Sequence, residues 1–201
     1  MADSAQPRAA NLRLGAALTR RAVVEAANRA YLAGEPIDMS ALATDLGIGR
    51  STLYRLVGNR EDLLSTVLAE ATERTFRRAA AGTTAAGGTE LVLDVLDRFM
   101  RAVVEAEPLQ ALCRREPLVF IRLALQPGPI EQTSASLVAE IIDTESAAGR
   151  MRPPVPPEVL GQAIIRMCDA HLYAPLLGRT EPEIRTALDL VAALLGHRPE
   201  P

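Results

Sequence analysis

Three features of the sequence predict an all-α fold. Apolar residues recur at helical spacing along most of the 201 residues. Ala, Leu, Arg and Glu, all strong helix formers, dominate the composition. Runs of β-branched residues are scarce, and no stretch alternates convincingly as a strand. The expected architecture has about nine helices: an N-terminal three-helix module containing a helix-turn-helix, joined to a larger helical domain.

Residues 1–14 read as a weakly basic arm carrying Arg8 and Arg13. A first helix is expected over Leu18–Ala33, with Val23, Ala26, Ala27, Ala30 and Tyr31 at helical spacing and Gly34 and Pro36 ending it. Asp38 is placed to cap a second helix that runs through Leu46, and Gly47 is its left-handed stop. A third, short helix covers Arg50–Leu56 and closes at Gly58. Asn59 and Asp62 stand at N-cap and N3 of a fourth helix over 60–78, a capping-box pair. The small, Gly-rich segment Ala79–Thr89 reads as a linker. Beyond it, helical patterns cover Leu91–Glu107, Leu109–Arg115, Leu118–Gln126, Ile130–Ala148, Glu158–Leu177 and Glu183–Leu195. The predicted domains are therefore 1–65, with the fourth helix connecting, and 79–201.

Composition narrows the function. With 48 % hydrophobic residues and no Trp, the chain has an aliphatic core and is not a disordered polymer. The net charge of −3 excludes a generally basic coat. Residues 1–60, however, hold eight Arg against five Asp and Glu, so a basic end sits on an otherwise acidic chain. No run approaches the ~20 apolar residues of a membrane helix, and the N-terminus lacks a signal-peptide core; a cytoplasmic location is expected. The two cysteines, Cys113 and Cys168, lie in apolar helical contexts and read as reduced core residues.

The most informative stretch is 38–64. Leu42, Leu46, Ile48, Leu53 and Val57 make a small core fixing two helices across the Gly47 turn, with Ala43 where they cross. The exposed side of the third helix then carries Arg50, Ser51, Tyr54 and Arg55, a polarity suited to the DNA major groove. Arg50 and Ser51, at its N-terminal end, are best placed for base edges. The hydroxyls of Thr52 and Tyr54 suit phosphate oxygens, and Arg60 adds a cation beside a positive helix end. Arg55, also on this side, reads more as a solvated or salt-bridged side chain than as a base reader.

Leu42-Ala43, Leu46-Gly47-Ile48, Thr52-Leu53-Tyr54-Arg55 and Gly58-Asn59-Arg60-Glu61-Asp62-Leu63-Leu64 together resemble the helix-turn-helix of the TetR family of bacterial transcriptional regulators. The resemblance implies a homodimer, usually a repressor that a small molecule releases from a palindromic double-stranded DNA operator. It implies DNA contacts at Arg50, Ser51, Thr52, Tyr54 and Arg60. Gly49 departs from the usual hydroxyl or acidic cap before the recognition helix, Leu56 stands where His or Tyr is common, and Arg60 replaces Lys. The segment Tyr173–Gly178 is similar to an actinobacterial branch that regulates quorum-signal lactone degradation.

The resemblance makes 79–201 an effector-binding and dimerisation domain, with the last two helices forming a bundle with their mates. Met100, Val103, Cys113, Phe120, Leu137, Ile141, Met167 and His171 are the expected effector contacts, suited to a lipophilic molecule. His171 is open to three roles: effector, dimer mate or core. Of Cys168, Asp169 and His171, only Cys168 and His171 share a helix face, so no metal is expected. No nucleophile elbow or phosphate loop appears, so neither an enzyme nor a cofactor is expected. The alternatives are a ligand-binding helical dimer, or an enzyme, whose helix-turn-helix is vestigial.

Overall fold

The computed structural model describes the backbone of residues 6–196 and side chains from Thr19 onward; His197 and the first five residues lie outside the described part. The described residues form ten α-helices and one 3-10 turn. They are α1 (Gln6–Leu32), α2 (Met39–Asp45), α3 (Arg50–Val57), α4 (Arg60–Ala81), α5 (Gly88–Glu105), α6 (Glu107–Arg115), α7 (Pro117–Leu125), α8 (Pro129–Ala147), α9 (Pro157–Leu172) and α10 (Ile184–Leu194), with the 3-10 turn at Ala174–Leu177. Two compact units meet at Val67–Leu68, inside α4.

In the first unit the ends of the helices are set by the residues the sequence marks. The Asp38 carboxylate accepts from Ser40 N at 2.7 Å and Ala41 N at 3.1 Å, which opens α2. Gly47, at φ +63°, reverses the chain, and Ile48 N donates back to Ala43 O at 3.0 Å. At the start of α4 the capping box is complete. Asn59 Oδ1 accepts from Glu61 N (2.7 Å) and Asp62 N (3.0 Å), and Asp62 Oδ2 accepts from Asn59 N at 2.8 Å. Val23, Ala27 and Tyr31 of α1, Leu42 of α2, Leu53 and Val57 of α3, and Leu63 and Val67 of α4 are buried and form the core of this unit.

One expectation here is corrected. The backbone is already helical from Gln6, so the first helix begins well before the expected Leu18 and takes in residues 6–14 of the expected arm. Pro7 falls in the first turn, where its missing N–H costs nothing, and the Ala- and Leu-rich run that follows continues the helix. The side chains of Arg8 and Arg13 lie outside the described part.

The second unit is built around α5, α8, α9 and α10. Phe76 of α4 meets Phe99 of α5 edge to face at 5.3 Å. Leu96, Met100, Ile142, Leu160, Ile164 and Val191 are fully buried around them. The α8–α9 contact is close because Gly161 lies against the Ala135 carbonyl oxygen, where a Cβ would collide. Four helices here, α6 to α9, begin with Pro in the first turn.

Two boundaries differ from the sequence reading. The linker shrinks from 79–89 to 82–87, because the Ala79–Ala81 run continues α4 and α5 starts at Gly88. The helix expected over Glu158–Leu177 ends at Leu172 and resumes as a 3-10 turn. Pro175 accounts for the break, because it has no N–H with which to continue the α-helical ladder.

Glu145 anchors the start of α5. It is 3 % exposed, and its Oε2 accepts from Gly88 N at 2.6 Å. Arg150 donates to both carboxylate oxygens, through Nε at 2.6 Å and Nη2 at 2.7 Å. These bonds hold the Glu145 carboxyl down at about 2, the Arg150 bonds most of all.

Candidate nucleic-acid interface and effector domain

The candidate recognition surface is the outer side of α3. Leu53 and Val57 bury its inner side, so the residues between them face solvent. Arg50, Ser51 and Arg55 are exposed, Tyr54 is 48 % exposed despite its ring, and Thr52 is half-buried. Gly49 supplies no side-chain cap to α3 and holds an extended conformation at φ −68° and ψ 147°. Its carbonyl accepts from Leu53 N at 3.0 Å, so the helix starts without the missing hydroxyl.

Two ties stabilise this surface that the sequence reading did not contain. Asp38 is held below the usual carboxylate range chiefly by the Ala41 and Ser40 N–H groups, with the Arg50 charge also lowering it. Arg50 therefore begins α3 beside the cap of α2. Arg60 is half-buried, and its Nε donates to Ile37 O at 2.9 Å. Its guanidinium thus pins the start of α4 to the α1–α2 connection. A guanidinium next to an irregular carbonyl is a contact that helical periodicity cannot reveal.

In the second unit the eight expected effector residues fall into two groups. Met100, Phe120 and Leu137 are buried, whereas Val103, Cys113, Ile141, Met167 and His171 are half-buried. Val103, Ile141 and Met167 lie against the main core that contains Met100 and Leu137. Phe120 of α7 stands edge to face on Tyr173, just past α9, at 5.0 Å. Burial pushes the Cys113 thiol up to about 11 and the Cys168 thiol up to about 12, so neither is a ready nucleophile.

His171 has an intrachain partner. Its Nδ1 lies 2.8 Å from Glu183 Oε2, and Glu183 N donates to His171 O at 3.0 Å. The pair joins the end of α9 to the start of α10. Asp169, two residues earlier, is a different case, because burial and then the Glu131 charge push its carboxyl up to about 7. In the sequence Asp169 stands out only beside Cys168 and His171. Among the described residues no group of three or more His, Cys, Asp or Glu is arranged to hold a metal ion. No helix among them is long and apolar enough to cross a membrane.

An exposed, basic, hydroxyl-bearing helix held across a Gly turn defines a helix-turn-helix protein with a separate all-helical second unit. The comparisons agree with that class. Residues 87–196 match the family described as "Tetracyclin repressor-like, C-terminal domain". The chain is 54 % identical to the TetR-family transcriptional repressor QsdR of R. erythropolis, with 92 % of this chain and 97 % of that one covered at a TM-score of 0.89. The TetR-family repressor AlkX of Dietzia shares 18 % identity at a TM-score of 0.61, with 88 % of this chain and 93 % of that one covered. The fatty acid degradation regulator FadR of Bacillus halodurans shares 17 % at 0.53, covering 89 % and 97 %. The last two likenesses are of fold alone. A comparison with curated protein sequences returned no match. The chain belongs to the TetR family, and it is a DNA-binding transcriptional regulator.

Proposed function

We propose that the protein is a homodimeric repressor that binds a palindromic operator through α3 and leaves it when a small lipophilic effector enters the second unit. In this reading residues 1–65 are the DNA-binding domain and 79–201 the effector and dimerisation domain. Arg50 and Ser51 read base edges, Thr52, Tyr54 and Arg60 hold phosphates, and Arg55 lies alongside the backbone. Arg60 can serve there while its Nε stays on Ile37 O, because the guanidinium has further N–H groups. The protein works in the cytoplasm and has no catalytic step of its own.

The observation that carries this reading is the exposure of Arg50, Ser51, Tyr54 and Arg55 on one short helix. An aromatic ring half open to water serves no core and suits a partner surface. The dimer reading rests on exposed apolar side chains of the last two helices. Val159 on α9 (52 % exposed) and Leu190 and Leu194 on α10 (43 % and 37 %) are left exposed among the described residues. A twofold arrangement of two α3 helices about 34–36 Å apart matches one turn of DNA. The Tyr173–Gly178 segment favours a target among genes of signal-lactone degradation. The test is binding to palindromic DNA upstream of its own or neighbouring genes, compared between wild type and Arg50→Ala or Tyr54→Ala.

A further inference from the structure

The outer side of α9 carries a short row of unlike side chains. Glu158, Gln162 and Arg166 follow one another at four-residue steps, so they form one ridge along the helix. All three are exposed. Leu160, Ile164, Ile165 and Cys168 hold the other side of α9 in the core, which keeps the ridge outward. Among the described residues no hydrogen bond or ion pair engages Glu158 or Gln162.

Arg166 is only partly engaged. Its Nε donates to Oε1 of the buried Glu131 on α8 at 2.6 Å, while its side chain remains 63 % exposed. A guanidinium has further N–H groups, so Arg166 can hold Glu131 and a second acceptor together. The ridge borders a cleft of about 340 Å³ between α8 and α9, with Ala135 and Ala139 in its lining. The two helices approach closely at Gly161, and the small Ala side chains leave room above that contact.

In order along α9 the ridge presents an acid, an amide and a base, and that order is its own complement under a twofold rotation. When a second copy lies antiparallel about Gln162, each Arg166 meets Glu158 of the other copy. The two Gln162 amides then face each other, and each can donate through Nε2 and accept through Oε1. A parallel arrangement would instead set Glu158 on Glu158 and Arg166 on Arg166, which like charges oppose. Val159, exposed beside Glu158, adds apolar surface to the same contact.

We propose that the Glu158–Gln162–Arg166 ridge is a self-recognition surface that pairs α9 antiparallel with α9 of a second copy, with Gln162 on the twofold axis and a Glu158–Arg166 ion pair on either side. The inference rests on the homodimer reading and adds to it the register and the means of choosing an identical partner. A helical relative without this order of acid, amide and base leaves charges unanswered, so the ridge selects against mixed dimers. Because Arg166 also holds Glu131, the contact with the second copy is tied to the packing of α8 on α9 within each subunit.

Disulfide cross-linking of the full-length protein tests the register. Gln162→Cys should give a linked dimer under mild oxidation with diamide, because the two sulfurs meet at the axis. Glu158→Cys should not, since its counterpart lies beside Arg166, two helical turns and roughly 12 Å away. The wild type, with Cys168 buried, controls for linkage through the native cysteines. Glu158→Arg should weaken the dimer about tenfold or more in sedimentation equilibrium at low salt, because symmetry replaces two ion pairs with two Arg–Arg contacts. That second readout stands even if a cysteine variant misfolds. A wild-type dimer that Gln162→Cys does not link, or that Glu158→Cys links as readily, would overturn this register and leave the dimer reading intact. So would a Glu158→Arg dimer of wild-type affinity. A wild type that sediments as a monomer at micromolar concentration would remove the dimer reading and this one together.

Discussion

Glu145 and Asp169 show how surroundings push the same functional group in opposite directions within one helical unit. Glu145 is surrounded by donors: Gly88 N–H and the Nε and Nη2 groups along one edge of the Arg150 guanidinium. Its carboxyl lies at about 2, below the ordinary 4.5, so folding favours its ionised form. The stabilisation is complete above about pH 4.5 and is lost as pH falls through about 2. Arg150 is 48 % exposed, so solvent screens part of the pairing. Glu145→Gln is expected to cost about 1–2 kcal/mol at pH 7, read by urea unfolding, and progressively less toward pH 2. A deficit that stays constant down to pH 2.5 would show that packing at Gly87–Gly88, and not charge, is what Glu145 supplies. Asp169 has none of these donors, and its sequence context, between a Cys and an Ala on an apolar helix, gave no sign of which state it would take.

At the scale of elements, helix ends were legible wherever a side chain makes the cap. Asp38, Asn59 with Asp62, and Gly47 each mark a boundary that the hydrogen bonds reproduce. Ends without such a marker were not legible. The start of α1 has no residue that announces it, and Ala79–Ala81 reads as linker or helix with equal ease. The exposed side of α3 could be read because burial of Leu53 and Val57 dictates what remains outside. The contacts of Arg60 with Ile37 and of His171 with Glu183 could not, since they join segments whose approach depends on tertiary packing. Helix–helix distance was hidden in the same way. Gly161 looked unremarkable in the sequence, yet it sets how near α9 comes to α8. Gly161→Ala is expected to lower stability by about 1–3 kcal/mol in thermal unfolding, because the methyl meets a backbone oxygen that cannot rotate away. An unchanged melting temperature would mean that the two helices separate at little cost.

In the proposed reading the whole molecule regulates transcription when two copies present their α3 helices together and an effector alters that presentation. The exposed Leu190 and Leu194 are one helical turn apart on α10, as a self-complementary twofold contact requires. Leu190→Glu should convert the dimer to monomer in sedimentation equilibrium at micromolar concentration, because it places two like charges near the twofold axis. A stable dimer in that variant would place the interface elsewhere on the second unit. Coupling of the two functions needs an effector preference for the non-binding state of only about 1–3 kcal/mol.

The central claim is that α3 carries DNA recognition, and fluorescence anisotropy with a labelled palindromic fragment from upstream of the gene tests it most directly. The wild type should bind with an affinity that falls steeply with salt. Arg50→Ala and Tyr54→Ala should each weaken binding about tenfold or more, while a control at the exposed Arg185 of α10 leaves it unchanged. Wild-type affinity in both α3 variants would contradict the account.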